Sequence, residues 1–222
     1  WTSTMNNLYK TTDSGLTWKN ITSWTFNDSL RMIYFVTSME AWAIGFFGIY
    51  HSEDTCETWQ RSFNHGGWSL SFVSDTEAWA VADSWLAKMI DGKSWILQPT
   101  PRNSVFPPPI EPYFTDILFL DSQNGWIGGD ETDIAYTPNG GLDWYAQSTA
   151  GDTRVISIDF INLTHGWAVG WGGYIYRTTN GNSLGIHLWT GVSAIVILIV
   201  VSVPMIIVVI AGIRYILRRK SR

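Results

Sequence analysis

The chain has 222 residues, of which only 15% are charged, with 14 Trp, 9 Tyr and 10 Phe. Aromatic burial must supply much of its stability, since each such ring can remove about 150–250 Å² from water. A net charge of -5, with no basic cluster before the last residues, excludes a nucleic-acid surface, which needs a stripe of Lys and Arg to displace counterions.

Taken in order, the chain opens at Trp1 in what reads as the second half of a repeat unit, residues 1–29, with a strand at Leu8-Tyr9-Lys10-Thr11. The first half of that unit, and further units, are expected to precede Trp1. Four units follow, at about 30–66, 67–98, 113–150 and 153–184. Trp42, Trp79, Trp126 and Trp167 anchor them at separations of 37, 47 and 41 residues, a period that suits four-stranded antiparallel blades. Seven residues before each anchor stands Phe35, Phe72, Phe119 or Phe160, and nine before it Ile33, Leu70, Ile117 or Ile158. Two apart in a strand means one face, so each pair lines the buried side of a first strand. A polar turn comes next, at Thr37 to Glu40, Ser74 to Glu77, Asp121 to Asn124 and Asn162 to His165. The second strand carries the anchor between small residues, as in Ala41-Trp-Ala-Ile-Gly45 and Gly166-Trp-Ala-Val-Gly170, which lets the indole lie flat against a neighbouring sheet. A third strand alternates apolar and polar side chains, as in Ile49-Tyr50-His51-Ser52, Ile134-Ala-Tyr-Thr137 and Ile175-Tyr-Arg-Thr178.

After the third strand comes Ser/Thr-x-Asp/Asn-x-Gly-x-x-Trp. It is intact at Thr11, Asp13, Gly15, Trp18 and at Thr137, Asn139, Gly141, Trp144. Degraded copies stand at Ser52, Asp54, Trp59 (with Cys56 for Gly), at Gly92, Trp95, and at Thr178, Asn180. The chemistry is that of a tight hairpin: the carboxylate or amide accepts from turn N–H groups, Gly permits positive φ, and the hydroxyl adds a local bond. Cys56 is the only cysteine, so it closes no intrachain disulfide and reads as a small filler at that position.

Between the second and third units, residues 99–112 form a Pro-rich insertion, a surface arm that could present Phe106 and the adjoining Tyr113 to a partner. At the other end, residues 188–213 contain no charge and are long enough to span a bilayer as one helix. The basic tail 214–222 then stays in the cytoplasm, which puts the blades outside the cell or in an equivalent compartment. Three sequons agree with that topology, at Asn20, Asn27 and Asn162.

The hairpin motif is the Asp-box, or BNR motif. Joined to Gly-Trp-Ala-Val-Gly upstream, it resembles the repeat of photosystem II stability and assembly factors more than that of sialidases or sortilins, over nearly all of residues 7–182. The resemblance implies an all-β β-propeller, commonly of seven blades, that holds a membrane-protein subunit during assembly. The units in this chain are too few for that ring, so either an N-terminally truncated ring or a smaller ring completed by the N-terminal hairpin is expected, and the transmembrane helix departs from the family, whose members typically lack one. Sialidase chemistry would need an arginine cluster, yet Arg31, Arg61, Arg102, Arg154 and Arg177 do not follow that family's pattern of equivalent blade positions. His51, His65, His165 and His187 are too scattered to pair as metal ligands. The expectation is a binding scaffold without cofactor or metal, taking a protein or glycan partner, with no enzymatic activity. Trp68, Trp85 and Trp171 fall outside the repeated Trp positions and join Phe106 and Tyr113 as candidate contacts. A sortilin-like or adhesive receptor, and a sialidase-type hydrolase, are the alternatives.

Overall fold

The computed structural model describes residues 2–4, 7–20, 28–101, 113–130, 134–147 and 154–181. They form five antiparallel meanders, each with its strands in sequence order. The first has three strands, β1 (Thr2–Thr4), β2 (Asn7–Lys10) and β3 (Lys19–Asn20). Three four-stranded sheets follow. One is β4 (Leu30–Phe35), β5 (Ala41–Gly45), β6 (Ile49–Ser52) and β7 (Gln60–Phe63). The next is β8 (Ser69–Phe72), β9 (Ala78–Ala82), β10 (Trp85–Met89) and β11 (Trp95–Gln98). The third is β12 (Phe114–Phe119), β13 (Gly125–Gly129), β14 (Ile134–Thr137) and β15 (Tyr145–Gln147). The last sheet has β16 (Val155–Phe160), β17 (Gly166–Gly170) and β18 (Tyr174–Thr178).

Cross-strand register explains the small residue before each anchor. Phe35 pairs with Ala41, Phe72 with Ala78, Phe119 with Gly125 and Phe160 with Gly166. The Phe ring leans over that partner: a Cβ on Gly125 would come within 2.6 Å of the Phe119 ring. Three of the four anchors then pack on the next blade. Trp79 stacks on Phe119 at 4.4 Å and 1°, Trp126 on Phe160 at 3.9 Å and 13°, and Trp42 meets Phe72 at 6.2 Å with a 46° tilt. The rings serve by their faces; the indole N–H groups of Trp42, Trp79 and Trp126 donate to no acceptor among the described residues. Around these stacks lie the inter-blade cores: Ile44 and Ile49 against Leu70 and Ala80, Val81 and Leu86 against Ile117 and Ile127, and Ile134 against Ile158 and Tyr176.

The motif turns follow the expected chemistry. Thr11 Oγ1 accepts from Gly15 N at 2.8 Å and Asp13 Oδ1 from Thr17 N at 2.9 Å. Ser52 and Asp54 do the same for Cys56 and Thr58, and Thr137 and Asn139 for Gly141 and Asp143. Two successive residues take left-handed φ, as at Gly140 (69°) and Gly141 (83°). Gly141 is also required for contact, because a Cβ there would sit 2.6 Å from the Trp79 ring of the preceding blade. In the degraded third copy Asp91 takes over, accepting from Lys93 N and Ser94 N. The turns between first and second strands are equivalent too: Thr37, Ser74, Asp121 and Asn162 each accept from the backbone N–H three residues on. The Asn162 amide oxygen is therefore occupied in capping its own turn.

Among the described residues no helix is long and apolar enough to cross a membrane. The predicted span 188–213, the tail 214–222, Phe106, most of the Pro-rich insertion and Asn27 lie outside the described residues.

Candidate partner-binding face

A four-stranded meander returns its turns alternately to two ends. At one end the Asp-box hairpins bond to the turns between first and second strands: Thr55 N donates to Met39 O at 2.8 Å, Gly92 N to Thr76 O at 3.1 Å and Gly140 N to Gln123 O at 2.7 Å. The other end gathers the blade entries and the turns between second and third strands. Gly67 N donates to Gly45 O at 2.9 Å, Phe114 N to Asp83 O at 2.7 Å, Asp130 N to Tyr113 O at 2.8 Å and Trp171 N to Arg154 O at 2.8 Å.

This second end carries a ladder of rings and guanidinium groups across adjacent blades. The Arg31 guanidinium lies 3.4 Å from the centroid of a Trp68 ring and 5.2 Å from that of Phe46, while Nη1 donates to Gly67 O at 3.1 Å. Trp68 donates its Nε1–H to Asp83 Oδ1 at 2.6 Å and meets Tyr113 at 6.2 Å. The Arg154 guanidinium sits 4.7 Å over Tyr113 and is paired with Asp130 at 3.1 Å. Trp171, in the short 3₁₀ turn Trp171–Gly173, is 68% exposed beside them. Phe46 and Phe47, both more than half exposed, form an edge-to-face pair with centroids 5.0 Å apart.

Two carboxylates make this end rigid. Asp28, almost fully buried, accepts from Phe46 N (2.7 Å), Phe47 N (2.9 Å) and the Tyr50 hydroxyl (2.7 Å), which fixes the turn that presents the Phe pair. Burial together with that bond to Asp28 raises the Tyr50 phenol to about 12. Asp116, at a register shift in β12, joins three first strands. It accepts from Ser69 Oγ of the preceding blade (2.6 Å), from Ile117 N of its own (3.0 Å), and from Ser157 Oγ and Ile158 N of the next (both 2.8 Å). Burial pushes its carboxyl pKa up despite those four donors.

Of the sequence-predicted contacts, Trp68, Tyr113 and Trp171 come together at this end. Trp85 opens β10 but is half-buried, edge-on to Phe63 at 5.7 Å, so its ring belongs to the packing between blades. Arg31, Arg154, Phe46, Phe47 and Asp28 were not singled out by sequence reasoning. The repeat register held the signal for two of them. Arg31 and Trp68 both stand four residues before the first-strand Phe, and Tyr113 and Arg154 both stand six before it. In those two pairs equivalent positions of adjacent blades meet, and the Trp68–Tyr113 contact between non-equivalent positions joins them into the ladder. Among the described residues no cluster of three or more His, Cys, Asp or Glu could hold a metal ion. Cys56 is buried and its thiol pKa is pushed up to about 12 by desolvation, which leaves it chemically inert.

No protein-family model and no curated protein matches the sequence. Among solved structures, the chain is similar to YCF48 bound to a D1 peptide, with a TM-score of 0.59 at 18% identity over 79% of this chain and 58% of that one. It is also similar to a streptogramin B lyase (0.61 at 14%, 81% of this chain and 60% of that one) and to an ancestral GH74 enzyme (0.61 at 14%, 78% and 27%). The chain thus spans less than two thirds of the length of each. At such identities the likeness speaks for architecture alone, and with the inter-blade stacks it assigns the described sheets to the β-propeller fold.

Proposed function

We propose that this chain is a membrane-anchored, extracytoplasmic propeller that holds a segment of another protein on the blade-entry end, without catalysing a reaction. The observation that carries this reading is the Arg31–Trp68–Tyr113–Arg154 ladder, which spans three blade junctions and leaves aromatic area at the surface. Rings and arginines on a rigid scaffold are the side chains that dominate binding energy at protein interfaces. The likeness to YCF48 bound to a D1 peptide favours a role in assembling or stabilising a membrane complex, as that family's repeats suggest. An uncharged segment at 188–213 followed by a basic tail supports anchoring with the blades outward.

The test is capture from native membranes with the full-length protein, solubilised in mild detergent, as bait. A specific protein should be retained by the wild type and lost from a Trp68→Ala/Tyr113→Ala double variant. Equal recovery by both baits would remove the ladder from the binding account. Protease protection in sealed vesicles checks the orientation: the blades and the tail must lie on opposite sides.

A further inference from the structure

We infer that the Phe46–Phe47 turn, flanked by Arg31 and Arg61, is a docking point for a protein segment in which a large apolar side chain stands beside carboxylates. This rests on the protein-binding reading of the blade-entry end and names the chemistry of the segment.

Exposed pairs of phenylalanine cost solubility, and this one is held in place by a buried carboxylate. Asp28 accepts from both turn N–H groups, so the two rings keep their 82° edge-to-face geometry with more than half of each in water. Preorganised aromatic area of this kind binds at low entropic cost. On either side stands a guanidinium. Arg31 is stacked on Trp68 and reaches over Phe46, and Arg61 donates Nη2 to Phe47 O at 2.8 Å with its Cζ 5.7 Å from the centroid of the Tyr50 ring. Neither guanidinium is paired with a carboxylate among the described residues, whereas Arg154, Lys88 and His51 each are. A stacked arginine bonded to a backbone carbonyl keeps further N–H donors in a planar fork, the geometry that takes a carboxylate in two parallel bonds. Acidic groups more than about 8–10 Å away are screened at physiological salt; of the nearer ones, Asp28 is buried in bonds to Phe46 N, Phe47 N and the Tyr50 hydroxyl, and Asp83 accepts from the Trp68 indole.

The same features do not suit a lipid surface. An anionic bilayer would press headgroups across the whole end of the blades, Asp83 and Asp130 included, whereas a short segment need touch only the Phe46–Phe47 turn and its two guanidinium groups. Interfacial binding also scales with buried apolar area, and two rings on a rigid turn offer little of it. A segment a few residues long, by contrast, can place one apolar side chain on the Phe pair and carboxylates on the two forks.

The test uses full-length protein in phosphatidylcholine nanodiscs and a fluorescein-labelled synthetic peptide in which pairs of Glu flank Leu-Phe, read by anisotropy. The Glu peptide should bind about tenfold or more tightly than the same peptide with Lys for Glu. Phe46→Ala/Phe47→Ala and Arg31→Gln/Arg61→Gln should each weaken it about tenfold or more. Arg61→Lys should fall between, and Lys93→Glu, on the Asp-box end, should leave it unchanged. Equal affinity for the two peptides, or no effect of the four substitutions, overturns the inference. So does binding of phosphatidylserine vesicles that needs those four residues while the Glu peptide is ignored. Capture of a native partner that survives Arg31→Gln/Arg61→Gln but not Trp68→Ala/Tyr113→Ala would also overturn it, and would leave the broader reading standing.

Discussion

Thr55 adopts φ 60° and Cys56 φ 66°, the left-handed conformation that Gly140 and Gly141 supply in the intact copy. A β-branched residue is poorly suited to that region, at a cost of roughly 1–2 kcal/mol. Asn tolerates it, so Thr55→Asn should stabilise by about 0.5–1 kcal/mol and raise the thermal midpoint followed by tryptophan fluorescence. A lowered midpoint would mean that the Thr55 hydroxyl bond to Asp54 O outweighs the strain. Asp116 makes a prediction of sign. Its folded-state pKa is raised, chiefly by burial. Its contribution is therefore complete below the unfolded value of about 3.9 and is lost as pH rises through the folded value. Relative to Asp116→Asn, wild-type stability in urea should increase as pH is lowered from neutrality toward about 4. An unchanged difference would show that the carboxylate is as well accommodated in the fold as in water. Asp13 works in the opposite direction: bonds from the Thr17 hydroxyl and N–H and from Thr11 lower its pKa to about 2. Its contribution is present above the unfolded value and lost as pH falls toward 2, so paired measurements against Asp116→Asn are needed to isolate Asp116.

The element that repeats is the second strand with its Trp, and its energetic weight depends on what lies opposite. Trp42, Trp79 and Trp126 are at most 1% exposed, each covered by the first-strand Phe of the following blade, whereas Trp167 is 36% exposed and its same-face neighbour Val169 41%. Replacing a buried Trp by Ala removes transfer free energy and opens a cavity, about 3–5 kcal/mol together. Trp126→Ala should cost about that much. Trp167→Ala should cost about 1–2 kcal/mol, since part of its surface is already in water and, among the described residues, the Arg177 guanidinium at 5.9 Å and no aromatic ring lies over it. Equal costs for the two in urea denaturation would show that the inter-blade stack adds nothing beyond the strand's own packing. Gly141→Ala, at φ 83° and against the Trp79 ring, should also destabilise, by about 1–3 kcal/mol through combined backbone strain and overpacking.

On the scale of the whole molecule, the meander separates structural from recognising chemistry. Asp-box hairpins and first-to-second-strand turns close one end by bonding to each other, while the arginine–aromatic ladder and the Phe pair occupy the other. Charge reversal on the Asp-box end, such as Glu57→Lys, should therefore leave partner capture within about twofold of wild type, as expected of sites without shared contacts. Trp68→Ala should reduce capture about tenfold or more. If Glu57→Lys proved the more damaging, the assignment of the two ends would have to be reversed.

Strand order and hairpin chemistry were legible because each is a local pattern repeated along the chain. A Phe seven residues before a Trp between small residues, or Thr-x-Asp-x-Gly, carries its meaning within a dozen positions. Asp13, Asn139 and Gly141 accordingly do in the fold what their residue types imply. The site was legible only in part. Trp68 was found as a Trp outside the repeated positions and Tyr113 as a neighbour of the Pro-rich arm, yet their partners Arg31 and Arg154 are contributed by neighbouring blades. The Ser69–Asp116–Ser157 clasp likewise joins residues 47 and 41 positions apart. Contacts of that kind depend on how far each sheet is rotated and shifted against the next, a quantity set by packing the whole inter-blade core. Chain order alone determined what each blade is made of, and only the tertiary packing decided which of its surface side chains would meet.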